Sequence, residues 1–266
     1  MARVSGSGRL VRCSLALIVA VTVWPGTTRA EIADACPLAV PVSEFSQPPN
    51  LHHFKRQLVW YRCTRYEADI AAVIAEAGAW IDQRAGQVTK AAIVLDIDET
   101  SLSNWPAIIN NDFAYFPDGP CDLEKRGVPC GDNAWHRKAE APAIAPTRDL
   151  YRRLRCLDVP AAGACTKVDV FFITGRRKLI VDQQPAAAWT LRNLVSQGFA
   201  DASEDRLFLR DPNSLGSASV HKIAARTAIE QQGYTIIANI GDQDSDLSGG
   251  HSERTFKLPN PFYWLP

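Results

Sequence analysis

Four short runs that are apolar at nearly every position constrain the fold more than any other feature of this chain. They are "AAIVLDID" (91–98), "VDVFFITG" (168–175), "RLFLRD" (206–211) and "TIIANIGD" (235–242). A strand with one wet face alternates apolar and polar residues, whereas a run with no polar face needs cover on both sides, the situation of strands inside a parallel sheet. Between the runs lie "PTRDLYRRLRCLD", "PAAAWTLRNLVSQG" and "SASVHKIAARTAIEQQG", which space their apolar residues as helices do. Two of these close on Gly198 and Gly233, where glycine readily adopts a left-handed cap. "RTFKLPN" (254–260) is a weaker fifth strand, ended by Pro259. Alternating strand and helix predicts an α/β fold: a Rossmann-like parallel sheet of about five strands with helices on both faces. Ligands bind such sheets beyond the carboxyl ends of the strands, where the strand order reverses.

Three segments fall outside this alternation. Residues 51–87 place Leu58, Tyr61, Tyr66, Ile70, Val73, Ile74 and Ala77 near helical spacing, with Gly86 at the expected end, so 31–90 reads as a helical amino-terminal region of one or two helices. Residues 101–143, between the first strand and the next helix, are long, lack strong periodicity and carry Trp105, Phe113, Tyr115, Phe116 and Trp135. That aromatic content argues against disorder and for a cap over the strand ends. Those rings either form the core between cap and sheet or stack against a substrate. Residues 1–30 carry Arg3, Arg9 and Arg12 with no acid, then the apolar run "CSLALIVAVTVW", then Thr28 and Ala30 in "TTRA". This is the pattern of a secretory signal peptide, and the run falls short of the ~20 apolar residues a membrane span needs. The expectation is export to a periplasm or the exterior, with 31–266 as one domain, no membrane span and no lipid on Cys13 or Cys36.

Removing that segment takes four arginines from the 29 basic residues against 29 acidic ones, a net charge of −4. A basic face for nucleic acid is therefore not expected. Cys36, Cys63, Cys121, Cys130, Cys156 and Cys165 remain. An even count in an exported chain favours disulfides over buried thiols, and no C-x2-C pair points to zinc. Six cysteines allow 15 connectivities and sequence alone does not choose among them; Cys121–Cys130 and Cys156–Cys165, each bracketing a short loop with Pro and Gly, are favoured, with Cys36–Cys63 as the remaining pair.

The strand ends hold the polar residues. The first ends in Asp96 and Asp98 with Glu99 beside them, the second in Thr174-Gly175-Arg176, and the fourth in "GDQDSD" with Asp242, Asp244 and Asp246; Lys222 lies in the preceding helix. If these share one crevice, it holds clustered carboxylates, an ammonium, a hydroxyl and a glycine turn with open N–H groups. Oxygen donors without a His or Cys cluster suit Mg²⁺. A phosphate would then be held by Lys222, Thr174 and backbone N–H groups. Each residue also has an ordinary reading: the aspartates as helix caps or loop acids, Thr174 as a strand residue, Gly175 as a turn, and Lys222 as solvated surface. Asp244 is expected in solvent and His221 and His251 as structural; Arg176 and Arg177 either guide an anion or form a solvated face.

"DIDET", "ITGR", a lysine and "GDQDSD", in that order, resemble the haloacid dehalogenase superfamily of phosphohydrolases. "EAGAW", "FITGRRK", "GFADASEDRLFLRDP", "GDQDSDLSG" and the ending "RTFKLPNPFYWLP" resemble its subfamily IIIB, the plant vegetative-storage-type and bacterial class C acid phosphatases, over residues 50–266. The resemblance implies a Mg²⁺-dependent acid phosphatase acting on small phosphomonoesters. Asp96 would be the nucleophile that forms an aspartyl-phosphate, and Asp98 the general acid and base. Mg²⁺ would be held by the Asp96 carboxylate, the Asp98 backbone carbonyl and Asp242, with Asp246 in support. Thr174, Gly175 and Lys222 would bind the phosphoryl group. Asp98 as an acid predicts better activity below neutral pH. Two other readings use the same fold: a non-catalytic storage or binding protein, and a phosphotransferase with the same intermediate.

Overall fold

The computed structural model describes residues 50–117, 128–158, 167–214 and 216–265. The expected signal segment lies outside them, as does one cysteine of each expected disulfide: Cys36, Cys121 and Cys165. In chain order the elements are α1 (Leu51–Thr64), α2 (Tyr66–Arg84), β1 (Ala91–Leu95), α3 (Trp105–Asn110), α4 (Asp132–Lys138), α5 (Ala145–Leu154), β2 (Asp169–Arg177), β3 (Ile180–Val181), β4 (Gln184–Pro185), α6 (Ala186–Ser196), β5 (Leu207–Arg210), α7 (Ala218–Gln231), β6 (Thr235–Gly241), α8 (Asp244–Leu247) and β7 (Thr255–Lys257).

A strand with no polar face has to serve two layers, and β1 does so by strict alternation. Ile93 and Leu95 pack into one core with Ile70, Ile74, Ala77 and Ile81 of α2 and Leu150, Tyr151 and Leu154 of α5. Ala92 and Val94 face the opposite core with Ala225 and Ile229 of α7. β2 repeats the division, with Val170 and Phe172 on the first side and Phe171 and Ile173 on the second. Each Val, Ile, Leu or Phe side chain so withdrawn from water contributes about 1.5–3 kcal/mol, so the two-sided burial selects the sheet's interior for these runs.

Five strands form one sheet in the order β5-β2-β1-β6-β7, and every pairing is parallel. The chain steps outward from β1 to β2 and β5, then returns to lay β6 on the other flank of β1. The strand order therefore reverses between β1 and β6, and the crevice beyond their carboxyl ends is the switch point.

Local differences from the sequence expectations have local causes. The amino-terminal helical pattern is two helices, broken at Arg65, whose φ of −130° leaves the helical range. α2 buries Tyr66, Ile70, Ile74, Ala77, Gly78 and Ile81, whereas α1 buries no residue fully. The strand β1 stops at Leu95, because beyond it the backbone turns. β2 runs on to Arg177, so Gly175 sits inside a strand rather than in a turn; its place coincides with a slip in the β2–β5 register between Thr174 and Arg177. The two-residue ribbon β3–β4 had only the three-residue apolar run "LIV" (179–181) as a signal, too short to read as a strand. It is made by Asp182 and Gln183, both at positive φ (50° and 62°), the backbone of a tight hairpin turn.

Candidate active site

The site starts from the turn after β1. The Asp96 N–H still donates to Ile240 O at 3.0 Å, so this residue remains registered against β6. The chain then folds sharply: the N–H groups of Thr100, Ser101 and Leu102 all point to Ile97 O, and Glu99 takes a left-handed φ of 55°. Ser101 Oγ donates to Asp96 O at 2.7 Å. Ile97 is fully buried in the core, and its neighbours Asp96 and Asp98 turn their carboxylates to the crevice.

Asp96 meets Asp242 and Asp246 there. One carboxylate oxygen from each lies within 4.8 Å of the others, and all three residues are buried. Lys222, from α7, donates to Asp96 Oδ1 at 2.7 Å and also to Asp246 Oδ1. It is only 5% exposed, so the solvated reading of this lysine is excluded. Burial by itself lowers the lysine's pKa, but Asp96 and Asp246 outweigh it and the ammonium is stabilised. Burial pushes Asp96 well above the usual carboxylate range, reinforced by Asp246 and opposed by Lys222. Burial and Asp246 likewise raise Asp242 to about 6. Three carboxylates against one ammonium leave an excess of negative charge, and an all-oxygen donor set of this kind fits a hard divalent cation.

The approach of Asp246 depends on glycine. A Cβ on Gly241, the last residue of β6, would lie 2.4 Å from Asp246 Cβ. Asp246 also closes a capping box at the start of α8, accepting Gln243 N at 2.7 Å. The turn beyond is pinned by the fully buried Arg226, which donates to Asp246 O at 2.6 Å, Gly250 O at 2.9 Å and Ser248 O. Asn239 Nδ2 adds 2.9 Å to Asp246 O.

Asp98 stands beside this group in a different environment. Arg176 grips it with Nη2 to Oδ1 at 2.7 Å and Nε to both oxygens at 3.1 Å. Asn104 Nδ2 donates at 2.7 Å and Thr174 Oγ1 at 3.3 Å, and His136 Nε2 lies 3.5 Å away. Burial raises the Asp98 pKa, yet Arg176 and His136 overcome it and hold the carboxyl well below its usual range. Burial lowers that of His136. Two aspartates two residues apart are thus driven in opposite directions.

The structure brings together Asp96, Lys222, Asp242 and Asp246, and sets Asp98 with Thr174 alongside. Gly175 makes no side-chain contact and has open space where a Cβ would go. Asp244 and Arg177 are exposed. His251 pairs with Glu230 at 2.6 Å, and His221 Nε2 lies 3.4 Å from Phe208 O. Trp135 is buried and donates to Asn104 Oδ1 at 2.9 Å; Trp105 packs on Phe113 and Phe262; Tyr115 is exposed. Sequence reasoning missed Arg176 as the partner of Asp98, and His136, Asn104, Gln243 and Asn260 altogether. Of these only Gln243 had a local signature, the Gln-x-x-Asp of its capping box.

A doubly covered parallel sheet with aspartates after its first strand and an aspartate pair after β6, joined by a buried lysine, defines a haloacid-dehalogenase-type protein. The chain belongs to the HAD superfamily, subfamily IIIB (Acid phosphatase), whose family model it matches over residues 42–266. It is 36% identical over 180 residues to the stem 28 kDa glycoprotein of Glycine max, covering 66% of this chain and 61% of that one. It is 32% identical over 203 residues to acid phosphatase 1 of Solanum lycopersicum, covering 75% and 69%. The chain thus spans about six-tenths of the length of the soybean relative. Among solved structures it resembles the class C acid phosphatase from Bacillus anthracis, with a TM-score of 0.56 and 22% identity over 79% of this chain and 86% of that one.

Proposed function

We propose that this protein is an exported, Mg²⁺-dependent acid phosphatase that hydrolyses small phosphomonoesters through an aspartyl-phosphate on Asp96. The observation that carries the reading is the buried Asp96–Lys222–Asp246 bridge at the switch point of the sheet. The contact supports roles for Asp96 as the nucleophile and for the adjacent Lys222 ammonium as a phosphate-binding cation. Asp96 attacks phosphorus as the bond to the leaving oxygen breaks. Asp98 gives that oxygen a proton, then takes one from the water that attacks the aspartyl-phosphate and frees orthophosphate. Lys222, Thr174 and the N–H of Gly175 hold the phosphoryl oxygens and offset charge in the transition state. The Asp96 carboxylate, the Asp98 carbonyl and Asp242, with Asp246 in support, would hold Mg²⁺, which would supply positive charge to offset the carboxylates and the phosphate.

Arg176 has a double place in this scheme. In the free site it keeps Asp98 ionised. A phosphate dianion entering beside Asp98 raises its pKa by like-charge repulsion, which readies it to carry the proton in mildly acidic solution. Nη1 of Arg176 is buried with no hydrogen-bond partner among the described residues, a donor that a phosphate oxygen fits.

The remaining layout follows the same reading: 1–30 as signal peptide and 101–143 as a cap. The cap is supported by Asn104, in the turn before α3, and His136, in α4, both reaching Asp98. Passage to an oxidising compartment would let Cys130 and Cys156 form the proposed disulfides with Cys121 and Cys165. The test is hydrolysis of p-nitrophenyl phosphate at pH 5–7 with Mg²⁺ or EDTA, beside Asp96→Asn. Turnover that requires Mg²⁺ and vanishes in the variant supports the mechanism. Turnover that survives in Asp96→Asn removes the aspartyl-phosphate from it.

A further inference from the structure

The carboxyl-terminal segment, residues 258–265, contains none of the reacting groups, yet it is wired into the site. Asn260 Nδ2 donates to Asp242 Oδ2 at 2.7 Å. Its amide is held that way round by the Phe262 N–H, which donates to Asn260 Oδ1 at 2.9 Å. The same device operates a second time. Gln243 Nε2 donates to Asp242 Oδ2 at 2.6 Å, and the Leu265 N–H donates to Gln243 Oε1 at 3.0 Å. Two amides, each oriented by a backbone N–H of this segment, therefore converge on one oxygen of Asp242. Among the described residues the other oxygen, Oδ1, has only the longer contact from Thr100 Oγ1 at 3.2 Å.

The segment is itself anchored. Phe262 is 6% exposed and stacks edge-on against Tyr66 of α2 (5.0 Å between centroids) and tilted against Trp105 of α3 (5.1 Å). Tyr263 OH donates to the buried Glu99 at 2.6 Å, fixing the turn that carries Asp96 and Asp98. Lys257 Nζ reaches Asp242 O.

We propose that this segment is a positioning strap for the metal-binding carboxylate: Asn260, and Leu265 through Gln243, lock Asp242 so that Oδ1 is presented to the cation. This rests on the Mg²⁺ site of the proposed phosphatase and adds residues that act through Asp242 without touching substrate. Donors that orient a ligating carboxylate raise metal affinity, and their loss weakens it about 10- to 100-fold.

The experiment is calorimetric titration of Mg²⁺ into the mature protein, paired with Mg²⁺ activation of p-nitrophenyl phosphate hydrolysis. Asn260→Ser keeps an oxygen for the Phe262 N–H but is too short to reach Asp242. It is expected to bind Mg²⁺ about 10- to 100-fold more weakly, with kcat at saturating Mg²⁺ and the melting temperature in EDTA near wild type. Leu265→Pro deletes one of the two backbone N–H groups that orient the Gln243 side chain, the other being that of Asp246, and is expected to weaken Mg²⁺ in the same direction even if Asn260→Ser folds poorly. Trp264→Ala, at an exposed position of the same segment, is expected to match wild type. Affinity within about twofold of wild type in both folded variants overturns the strap, given the size of effect such donors have. If Asp242→Asn loses Mg²⁺ while Asn260→Ser and Leu265→Pro retain it, only the strap fails. If wild type takes up no Mg²⁺, the metal site and the strap fail together.

Discussion

Lys222→Met is the substitution whose consequences the structure specifies most fully. The side chains are of similar length, so packing is nearly conserved while the ammonium is lost. Asp96 and Asp246, 4% and 2% exposed, then face each other and Asp242 without the cation that now bridges them. Removing one partner of a buried ion pair costs about 3–5 kcal/mol. For a domain of this size, about 2–4 °C of melting temperature per kcal/mol makes that roughly 6–20 °C. The loss depends on pH in a definite direction. Asp96 already lies well above its ordinary pKa because of burial and Asp246, with Lys222 opposing, and without Lys222 it rises further. A carboxyl whose folded pKa exceeds its unfolded one contributes most below the unfolded value and destabilises progressively as pH rises through the folded one. The gap between wild type and variant is thus small near pH 4 and widens toward pH 8. Mg²⁺ bound at the proposed site is expected to supply replacement charge and to restore more stability to the variant than to wild type. Thermal unfolding at pH 4, 6 and 8, in EDTA and in Mg²⁺, measures all of this. A melting temperature at pH 8 in EDTA within about 2 °C of wild type would refute the reasoning, because it would mean these carboxylates do not need the ammonium.

Two further substitutions probe the neighbouring groups. Arg176→Gln removes the main charge that offsets burial at Asp98; the limb of log kcat/KM that falls with rising pH is expected to move up by about 1 pH unit or more. An unmoved profile would show that Asp98 is not the proton donor or that Arg176 does not control it. Gly241→Ala puts a Cβ 2.4 Å from Asp246 Cβ, so Asp246 or β6 must shift, at about 1–3 kcal/mol of stability; Mg²⁺ affinity is expected to fall with it, and calorimetry showing neither change would disprove that contact.

What was legible in the sequence is what neighbouring residues settle among themselves. An unbroken apolar run admits few fates, so β1, β2, β5 and β6 stood out, as did the aspartates that end them. The helix ends at Gly198 and Gly233 were readable because a positive φ (100° and 86°) is a local demand that glycine meets. The two-residue β3–β4 ribbon was not, since only Val181 of it packs on a core, too little to impose a pattern. The site divides the same way. Asp96 and Asp98 declared themselves, but their opposite pKa shifts come from partners brought in by topology: Lys222 lies 126 residues from Asp96, and Arg176 lies 78 from Asp98. Likewise Tyr263 reaches Glu99 across 164 residues. Spacing along the chain carries no record of such meetings. Strand order decides them, by laying β6 against β1 and folding the last residues back over the end of both, and only there do burial and charge decide which carboxylate holds a proton.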